Sequence, residues 1–311
     1  MWRYVLRSKL ALNARSERRE FEGALIRVGD GFGCIHPWPE LGDPELEFLL
    51  RELGEGFTQE PLVERALFMA ESDARARSNG HSFFGKGKNP VPPSHATIPD
   101  LGEAAVGEAI DRGYSVVKGK GGQDYAAWAN RVNDLSRRWP SLRWRLDFNE
   151  VLSRPEVIEF ARCLSSHARE RIDFLEDPCP YDRNDWAEIR LETGFKLAVD
   201  REESILCDEA VVLVVKPAKA ELNQYEHSTH WLVVTSYMEH PVGQCFAAVH
   251  AARLAARTDR VLRCGLQTHE LFEPTEFSER LGPAGPVFHP PGGTGFGFDD
   301  LLEKLPWKRL K

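Results

Sequence analysis

Charged side chains end five short apolar runs in the middle of the chain, and their types fit acid–base chemistry at a metal centre. Carboxylates end three runs, RLD at Asp147, FLE at Glu176 and LAVD at Asp200, and lysines end two others, SVVKGK at Lys120 and VVLVVK at Lys216. The runs are spaced roughly one strand plus one helix apart, so each charge falls where a strand of a (β/α) barrel should end. Such barrels carry out catalysis at the mouth where the strands end.

Lys118 and Lys120 form a closely spaced pair that suits a general base. Alternate residues of a strand face the same side, so both ammonium groups should point into the mouth. At about 6 Å and an effective dielectric near 20, their repulsion of roughly 2.5 kcal/mol would lower one pKa by nearly two units from about 10.4. Burial acts in the same direction. We therefore expect Lys120 to be uncharged often enough to accept a proton.

Asp147, Glu176 and Asp200 cannot all stay ionised at close range without a cation. Oxygen ligands favour Mg2+, with Mn2+ as an alternative, over Zn2+, which prefers His and Cys. The ion would also hold a substrate carboxylate and stabilise the negative charge that develops when the neighbouring carbon loses a proton. Alternation along the strand places Arg145 and Asn149 on the same face as Asp147.

The remaining sequence predicts a (β/α)8-type, modified TIM barrel behind an N-terminal α+β capping domain. Residues 1–90 hold two strand patterns, the second with a Gly-Asp-Gly hairpin turn, and two helical patterns that start at proline. Residues 91–284 alternate strands and helices, which is typical of parallel βα units. We expect the tail, about residues 285–311, to pack back on the cap. Barrel strands are predicted at 95–98, 114–118, 143–148, 172–175, 195–199, 211–216, 232–236 and 262–266.

Net charge, the length of apolar runs and the cysteine spacing limit the kinds of partner that this protein can bind. A net charge of -8 argues against nucleic-acid binding, which depends on clustered Lys and Arg. No run approaches the roughly 18 apolar residues of a membrane span, and the first residues do not look like a signal peptide. The six cysteines lack metal-ligand spacing, so we expect reduced thiols. These features favour a cytoplasmic enzyme with a small-molecule carboxylate substrate, and they say nothing about oligomeric state.

The ordered motifs KGK, RLDFN, FLEDP, LAVD and VVKP together resemble the enolase superfamily, specifically its muconate-lactonising subgroup. The resemblance covers the chain from about His95 onward, and the first domain is similar to that family's capping domain. VVTSYMEHPVG and Gly265 bring it nearest to the o-succinylbenzoate synthase family. The resemblance implies Mg2+-dependent dehydration of 2-succinyl-6-hydroxy-2,4-cyclohexadiene-1-carboxylate to o-succinylbenzoate, a step of menaquinone biosynthesis.

The resemblance also implies a role for each site residue. Lys120 would be the base that takes the proton next to the carboxylate, Lys216 would stabilise the enediolate, and Lys118 would be the electrostatic partner of Lys120. Metal ligands would be Asp147, Glu176 and Asp200, supported by Asn149. Substrate contacts would come from Thr235, Ser236, Gly265 and Arg145. Residues 12–23 are similar to the family's mobile specificity loop, whereas Arg201, Tyr237 and His240 depart from the family pattern.

Other functions remain open from the residues alone. An N-succinylamino acid racemase, a dipeptide epimerase or a muconate cycloisomerase would use the same lysines and metal. A metal-free aldolase would instead form a Schiff base at Lys216, and a barrel that only binds a ligand would need no turnover. The lysine pair at Lys86 and Lys88 repeats the spacing of Lys118 and Lys120, but the prolines that follow indicate an exposed loop.

Overall fold

The structure is a computed structural model that describes residues 1–12, 16–56, 59–200 and 208–310. Its first part is an α+β cap whose antiparallel sheet has the order β1-β2-β3. A Cβ atom at Gly31 would lie 1.9 Å from the carbonyl oxygen of Ala70, so glycine lets a cap helix lie directly on the sheet. The cap elements are β1 (Trp2–Arg7), β2 (Glu20–Val28), β3 (Gly31–Ile35), α1 (Leu46–Glu55) and α2 (Pro61–Ser78).

The second part is a parallel sheet of seven strands that follow one another in chain order. Their runs of Val, Leu and Ala are almost wholly buried, as expected when helices cover the outside and side chains fill the inside. The strands are β4 (Ala96–Thr97), β5 (Val116–Lys120), β6 (Arg143–Asp147), β7 (Ile172–Glu176), β8 (Leu197–Val199), β9 (Val212–Val215) and β10 (Trp231–Val234).

The eighth predicted strand, residues 262–266, closes the barrel through single bridges rather than a full ladder. Val261 pairs with Leu232 of β10, Gly265 pairs with Thr235 directly after β10, and Cys264 pairs with Ser94 just before β4. Backbone hydrogen bonds from Gly265 to Val234 and from His95 to Cys264, of 2.9 and 2.8 Å, join the two edges. The prediction of a modified (β/α)8-type barrel with an N-terminal cap is therefore confirmed, with a shortened last strand.

Helices surround the barrel, with two departures from the predicted pattern. The alternation predicts one helix between β6 and β7, but this connection holds two helices, because Leu164 is extended and Ser165 begins a new cap. Residues 216–230, between β9 and β10, contain a 3-10 turn at Leu222–Tyr225 instead of a helix. The helices are α3 (Glu103–Asp111), α4 (Tyr125–Arg138), α5 (Arg154–Cys163), α6 (Ser166–Arg169), α7 (Arg183–Thr193), α8 (Pro241–Ala255), α9 (Glu276–Leu281) and α10 (Asp299–Lys304).

The Gly-rich tail contacts the cap through one buried carboxylate. Asp73 of α2 accepts hydrogen bonds from the backbone amides of Phe32 in the cap sheet and Phe296 in the tail, at 3.0 and 2.8 Å. Arg77, one turn along α2, bonds both Asp73 and Asp299. The tail is thus joined to α2 by charge-assisted hydrogen bonds. Over the described ranges, no helix combines the length and the apolarity that crossing a membrane requires.

Candidate active site

Parallel register brings the predicted charges to one end of the barrel. The Cα of Lys120 on β5 pairs with Asp147 on β6, and Asp147 pairs in turn with Glu176 on β7. Asp200 directly follows β8, and Lys216 directly follows β9. Five consecutive strands therefore place Lys120 and Lys216 at the two ends of a row of three carboxylates. Lys118 lies one inward-facing position below Lys120.

These six side chains form two neighbouring groups of ion pairs, one of Lys118, Lys120, Asp147 and Glu176 and one of Lys216 and Asp200, which together we call the mouth cluster. Lys118 Nζ lies 2.6 Å from Glu176 Oε1 and 3.1 Å from Asp147 Oδ2. Lys120 Nζ lies 2.5 Å from the same Asp147 oxygen, and Lys216 Nζ lies 2.6 Å from Asp200 Oδ2. The other Asp147 oxygen accepts a 3.1 Å hydrogen bond from the backbone amide of Asn149, so Asn149 supports this carboxylate through its main chain. The structure brings together all six predicted catalytic and metal-binding side chains.

Burial makes the charges of the mouth cluster strongly interdependent. The neighbouring Lys118 and Lys120 hold the pKa of Asp147 far below its usual range, although burial opposes this. Burial and the Asp147 charge raise the pKa of Glu176 to about 7. Burial alone would lower the pKa of Lys118, but Asp147, Glu176 and Asp200 raise it. The three carboxylates therefore outweigh burial at Lys118 and keep it charged.

A cavity of about 440 Å3 opens beside Lys216 and Asp200. Its wall combines barrel residues with Leu41 and Gly42 of the cap, so both domains shape it. Lys219, Tyr225 and Tyr237 also line it. The volume suits a small organic acid.

A second cavity, of about 520 Å3, opens on the Lys120 side of the cluster. Leu10 and Ala11, just before the segment 12–23 predicted to be the specificity loop, line this cavity together with Trp128. Residues 13–15 of that segment lie outside the described residues, as does Arg201. Lys120 and Lys216 therefore each face open space, on different sides of the carboxylates.

Thr235, Ser236 and Gly265 lie together at the end of β10 but do not line either cavity. Ser236 Oγ is 2.8 Å from Thr268 Oγ1, whereas Thr235 Oγ1 is buried without a hydrogen-bond partner among the described residues. A Cβ at Gly265 would come within 2.9 Å of the His95 ring. These predicted substrate contacts form a compact interior group next to the mouth, and Thr235 has hydrogen-bonding capacity left over.

Arg145 is not brought to the cavities with the other predicted substrate contacts. It is 1% exposed and lies two residues before Asp147, nearer the start of β6. Its Nε donates to Asp173 at 2.8 Å, and its Nη1 donates to the carbonyl of Arg263 at 2.7 Å and lies 2.9 Å from His95 Nδ1. We call Arg145, Asp173 and His95 the floor cluster. Arg145 of β6 thus connects β7, the residue before β4 and the short last strand through its hydrogen bonds.

His240 departs from the family pattern without reaching the mouth. Its ring lies in an aromatic group at the boundary of cap and barrel, 4.8 Å from the Tyr4 ring and 4.5 Å from the Phe277 ring between centroids. Burial lowers its pKa to about 3. His240 therefore packs between cap and barrel and does not line the mouth.

Sequence reasoning missed several residues of the site. Asp177 is buried beside Asp200, and burial together with the Asp200 charge raises its pKa well above the usual range. Asp177 directly follows Glu176 in FLEDP, so the motif already placed a second carboxylate at the end of this strand. Lys219, three residues after Lys216, was likewise visible in VVKPAK. Asp43, which bonds Lys219 at 2.7 Å, comes from the cap and had no local signal.

The donor set fits a divalent cation. Asp147, Glu176 and Asp200 offer oxygen ligands from adjacent strands, and oxygen is the donor type that Mg2+ prefers. Within the described ranges, however, three metal-ligating side chains do not already converge at binding distance. Each carboxylate instead faces a lysine.

Comparison with known proteins decides the family. The profile of the o-succinylbenzoate synthase N-terminal domain matches residues 1–76, and the profile described as enolase C-terminal domain-like matches residues 101–208. An o-succinylbenzoate synthase of Bdellovibrio bacteriovorus is 35% identical over 99% of this chain and 97% of that protein. The chain belongs to the o-succinylbenzoate synthase family of the enolase superfamily. It is an enzyme of the lyase class, as the sequence predicted.

Solved enolase superfamily structures share the fold of this family member. A dipeptide epimerase from Enterococcus faecalis, complexed with Mg and a dipeptide, has a TM-score of 0.74 at 17% identity, covering 95% of this chain and 97% of its own. A superfamily member from Roseovarius nubinhibens, complexed with magnesium, has a TM-score of 0.72 at 17% identity over 98% and 96%. Magnesium binding thus accompanies this fold in relatives.

Proposed function

We propose that this protein is an o-succinylbenzoate synthase that dehydrates 2-succinyl-6-hydroxy-2,4-cyclohexadiene-1-carboxylate to o-succinylbenzoate, for menaquinone biosynthesis in the cytoplasm. The observation that carries the proposal is the placement of Lys120 and Lys216 at the two ends of the carboxylate row, each facing a cavity. A substrate carbon between them would have a base on one side and a cation on the other. The full-length similarity to a synthase supports the same reaction.

Lys120 would carry the proton through both halves of the reaction. As a neutral amine it takes the proton from the ring carbon that bears the carboxylate. The C–O bond to the ring hydroxyl then breaks with its electron pair, and the Lys120 ammonium returns the proton to the leaving oxygen as water. Lys120 ends neutral, and the ring becomes aromatic. Lys120 is ion-paired with Asp147 in the structure, so this pair must open before the amine can reach the substrate.

Lys216 and Lys118 would act as fixed positive charges. The Lys216 ammonium would stabilise the negative charge that spreads onto the substrate carboxylate after deprotonation. Lys118 is held between Asp147 and Glu176, and its raised pKa keeps it charged. Lys118 would therefore orient the substrate carboxylate without exchanging protons.

Asp147, Glu176 and Asp200 would hold Mg2+, and Mn2+ is a chemically similar alternative. When bound, the ion would supply Lewis-acid stabilisation of charge on the substrate carboxylate. Asn149 would keep Asp147 in orientation through its backbone hydrogen bond. Thr235, Ser236 and the backbone of Gly265 would receive the succinyl arm, with the Thr235 hydroxyl as the donor that is not otherwise used.

The test is direct synthesis of the product. Purified protein with Mg2+ and the cyclohexadiene substrate should form o-succinylbenzoate, followed by ultraviolet absorbance and verified by mass spectrometry. EDTA should stop the reaction, and Lys120→Ala should be inactive while Lys88→Ala, a change in an exposed loop, behaves as wild type.

Other outcomes identify the alternatives. Racemisation of N-succinylamino acids or epimerisation of dipeptides, without aromatic product, would assign the same site to a related reaction. Borohydride trapping of a substrate on Lys216 with full activity in EDTA would establish a Schiff-base aldolase instead. A protein that binds these carboxylates without any turnover would be a binding module.

A further inference from the structure

The aromatic ring of Tyr237 lies against the Lys216 ammonium. Lys216 Nζ is 5.1 Å from the ring centroid, within the range of a cation–π contact. Tyr237 is 3% exposed, and its ring forms part of the wall of the 440 Å3 cavity. The lysine stem has four rotatable carbons, so its ammonium needs fixed partners to hold one position. The structure gives Lys216 two such partners, Asp200 and the Tyr237 ring.

The cap holds Tyr237 at both ends of the residue. Its hydroxyl donates to Asp43 Oδ2 at 2.7 Å, and its backbone carbonyl accepts from Trp38 Nε1 at 2.8 Å. Asp43 and Trp38 are themselves joined, because the Trp38 backbone amide donates to Asp43 Oδ2 at 2.8 Å. The Trp38 side chain is fully buried. The ring therefore has little freedom to rotate while the cap is docked.

The charges next to the Tyr237 ring also favour the position of Lys216 against it. Lys219 Nζ lies 5.6 Å from the same centroid and is neutralised by Asp43 Oδ1 at 2.7 Å. The Asp43 side chain is 2% exposed, so its charge is little screened by water. One cap carboxylate thus fixes the ring and also offsets a second ammonium that would otherwise repel Lys216.

We propose that Tyr237 is a positioning residue for Lys216, anchored by Asp43 of the cap. The inference rests on the proposed function, in which Asp200 serves a metal ion and no longer fixes the lysine. The ring is then the partner that keeps the ammonium aimed at the substrate. Because its anchor comes from the other domain, the position of Lys216 depends on the cap being in place.

Crystallography of Tyr237→Leu tests the geometry whether or not any substrate is turned over. Leucine fills part of the space but offers neither a π face nor a hydroxyl. Compared with a wild-type crystal, both grown with Mg2+ so that Asp200 is engaged by the ion, we expect Lys216 Nζ to leave its position or to become disordered. An unchanged, ordered Lys216 in Tyr237→Leu would overturn the proposal.

Kinetics distinguish positioning from a purely structural role. Tyr237→Leu should lower kcat about tenfold and leave KM within about twofold, because the substrate still binds but the charge is misplaced. Tyr237→Phe keeps the ring without its anchor and should fall between wild type and Tyr237→Leu. The matched control Tyr4→Phe also removes a buried tyrosine hydroxyl near the boundary of cap and barrel, away from Lys216, and should leave kcat unchanged.

Each contrary result has a separate meaning. A raised KM with unchanged kcat would show that Tyr237 only shapes the pocket, and a kcat loss equal to the loss of folded protein would show a structural role; either overturns the positioning proposal. A wild-type protein that forms no o-succinylbenzoate would speak against the proposed reaction, and the crystallographic comparison would still decide the role of Tyr237.

Discussion

The mouth cluster and the floor cluster lie two residues apart on β6 and use buried charge in different ways. In the mouth, lysine ammonium groups meet carboxylates beside two cavities. On the floor, Arg145 is enclosed by Asp173, His95 and the carbonyl of Arg263, and its guanidinium also stacks 4.7 Å from the Phe174 centroid. Both clusters contain ionised groups with little access to water.

The difference follows from the chemistry of the two cations. A guanidinium is planar and always charged, and its fixed donors match several partners at once. An ammonium is a point charge on a flexible stem, and it can lose its proton or exchange one carboxylate for another. A buried ammonium that can lose its proton or change its carboxylate partner, and that lies next to a cavity, is suited to catalysis. A buried charge fixed by protein groups on several sides holds strands in register instead.

The largest expected effect comes from removing the base of the mouth cluster. Lys120→Met should lower kcat by about 10^3-fold or more, since general acid–base catalysis contributes factors of this order and Lys120 would serve twice. The melting temperature should change less than in Arg145→Met, because Asp147 keeps Lys118 as a counter-charge and methionine matches the lysine stem in volume. Steady-state kinetics and thermal unfolding measure the two quantities. Substantial turnover by Lys120→Met would remove Lys120 from the mechanism.

Arg145→Met should show the opposite pattern. Removing one partner of a buried ion pair leaves Asp173 without its main counter-charge, and we expect the free energy of unfolding to fall by about 3 kcal/mol. Urea unfolding measures this, with kcat determined per folded molecule. A large kcat loss at unchanged stability would instead place Arg145 in contact with substrate, as the family resemblance implied.

Mg2+ should stabilise the folded protein by binding the carboxylates of the mouth cluster, and this stabilisation should not depend on the floor cluster. At 100 times its dissociation constant, Mg2+ should raise the free energy of unfolding by about 2.7 kcal/mol. Asp200→Asn should abolish most of this increment, whereas the floor variant Asp173→Asn, although less stable, should retain it. Equal increments in wild type and Asp200→Asn would exclude Asp200 as a ligand. Isothermal titration calorimetry gives an independent measure of binding.

The smallest expected effect is the contribution of His95, in the floor cluster, to the pH dependence of the free energy of unfolding. Burial and the charge of Arg145 lower the pKa of His95 well below 6.5. The unfolded chain therefore binds more protons than the folded one below about pH 6.5, so stability falls as the pH falls. His95→Asn should reduce the slope of stability against pH by up to about 1.4 kcal/mol per pH unit in urea unfolding below pH 6. An unchanged slope would show that His95 is protonated in the folded protein.

Most of the chemistry could be predicted because it follows β-strand periodicity. Lys120, Asp147 and Glu176 each end an apolar run, and a parallel sheet necessarily aligns such ends. The short eighth strand was correctly placed but not recognised as a set of single bridges. Its bridging pattern depends on the edge formed by Ser94 and His95, which is remote in sequence.

The sequence alone determined the family, the barrel with its cap, and the residue types that meet at the mouth, because local periodicity and ordered motifs encode them. Only the tertiary structure decided which neighbours share a buried charge. Lys118 is paired with two carboxylates, and Arg145 is bonded to Asp173 away from the cavities. Asp43 of the cap accepts a hydrogen bond from Tyr237 of the barrel. Contacts between residues far apart in the chain set each of these outcomes, since ion-pair energies depend on distance and burial that no local pattern records.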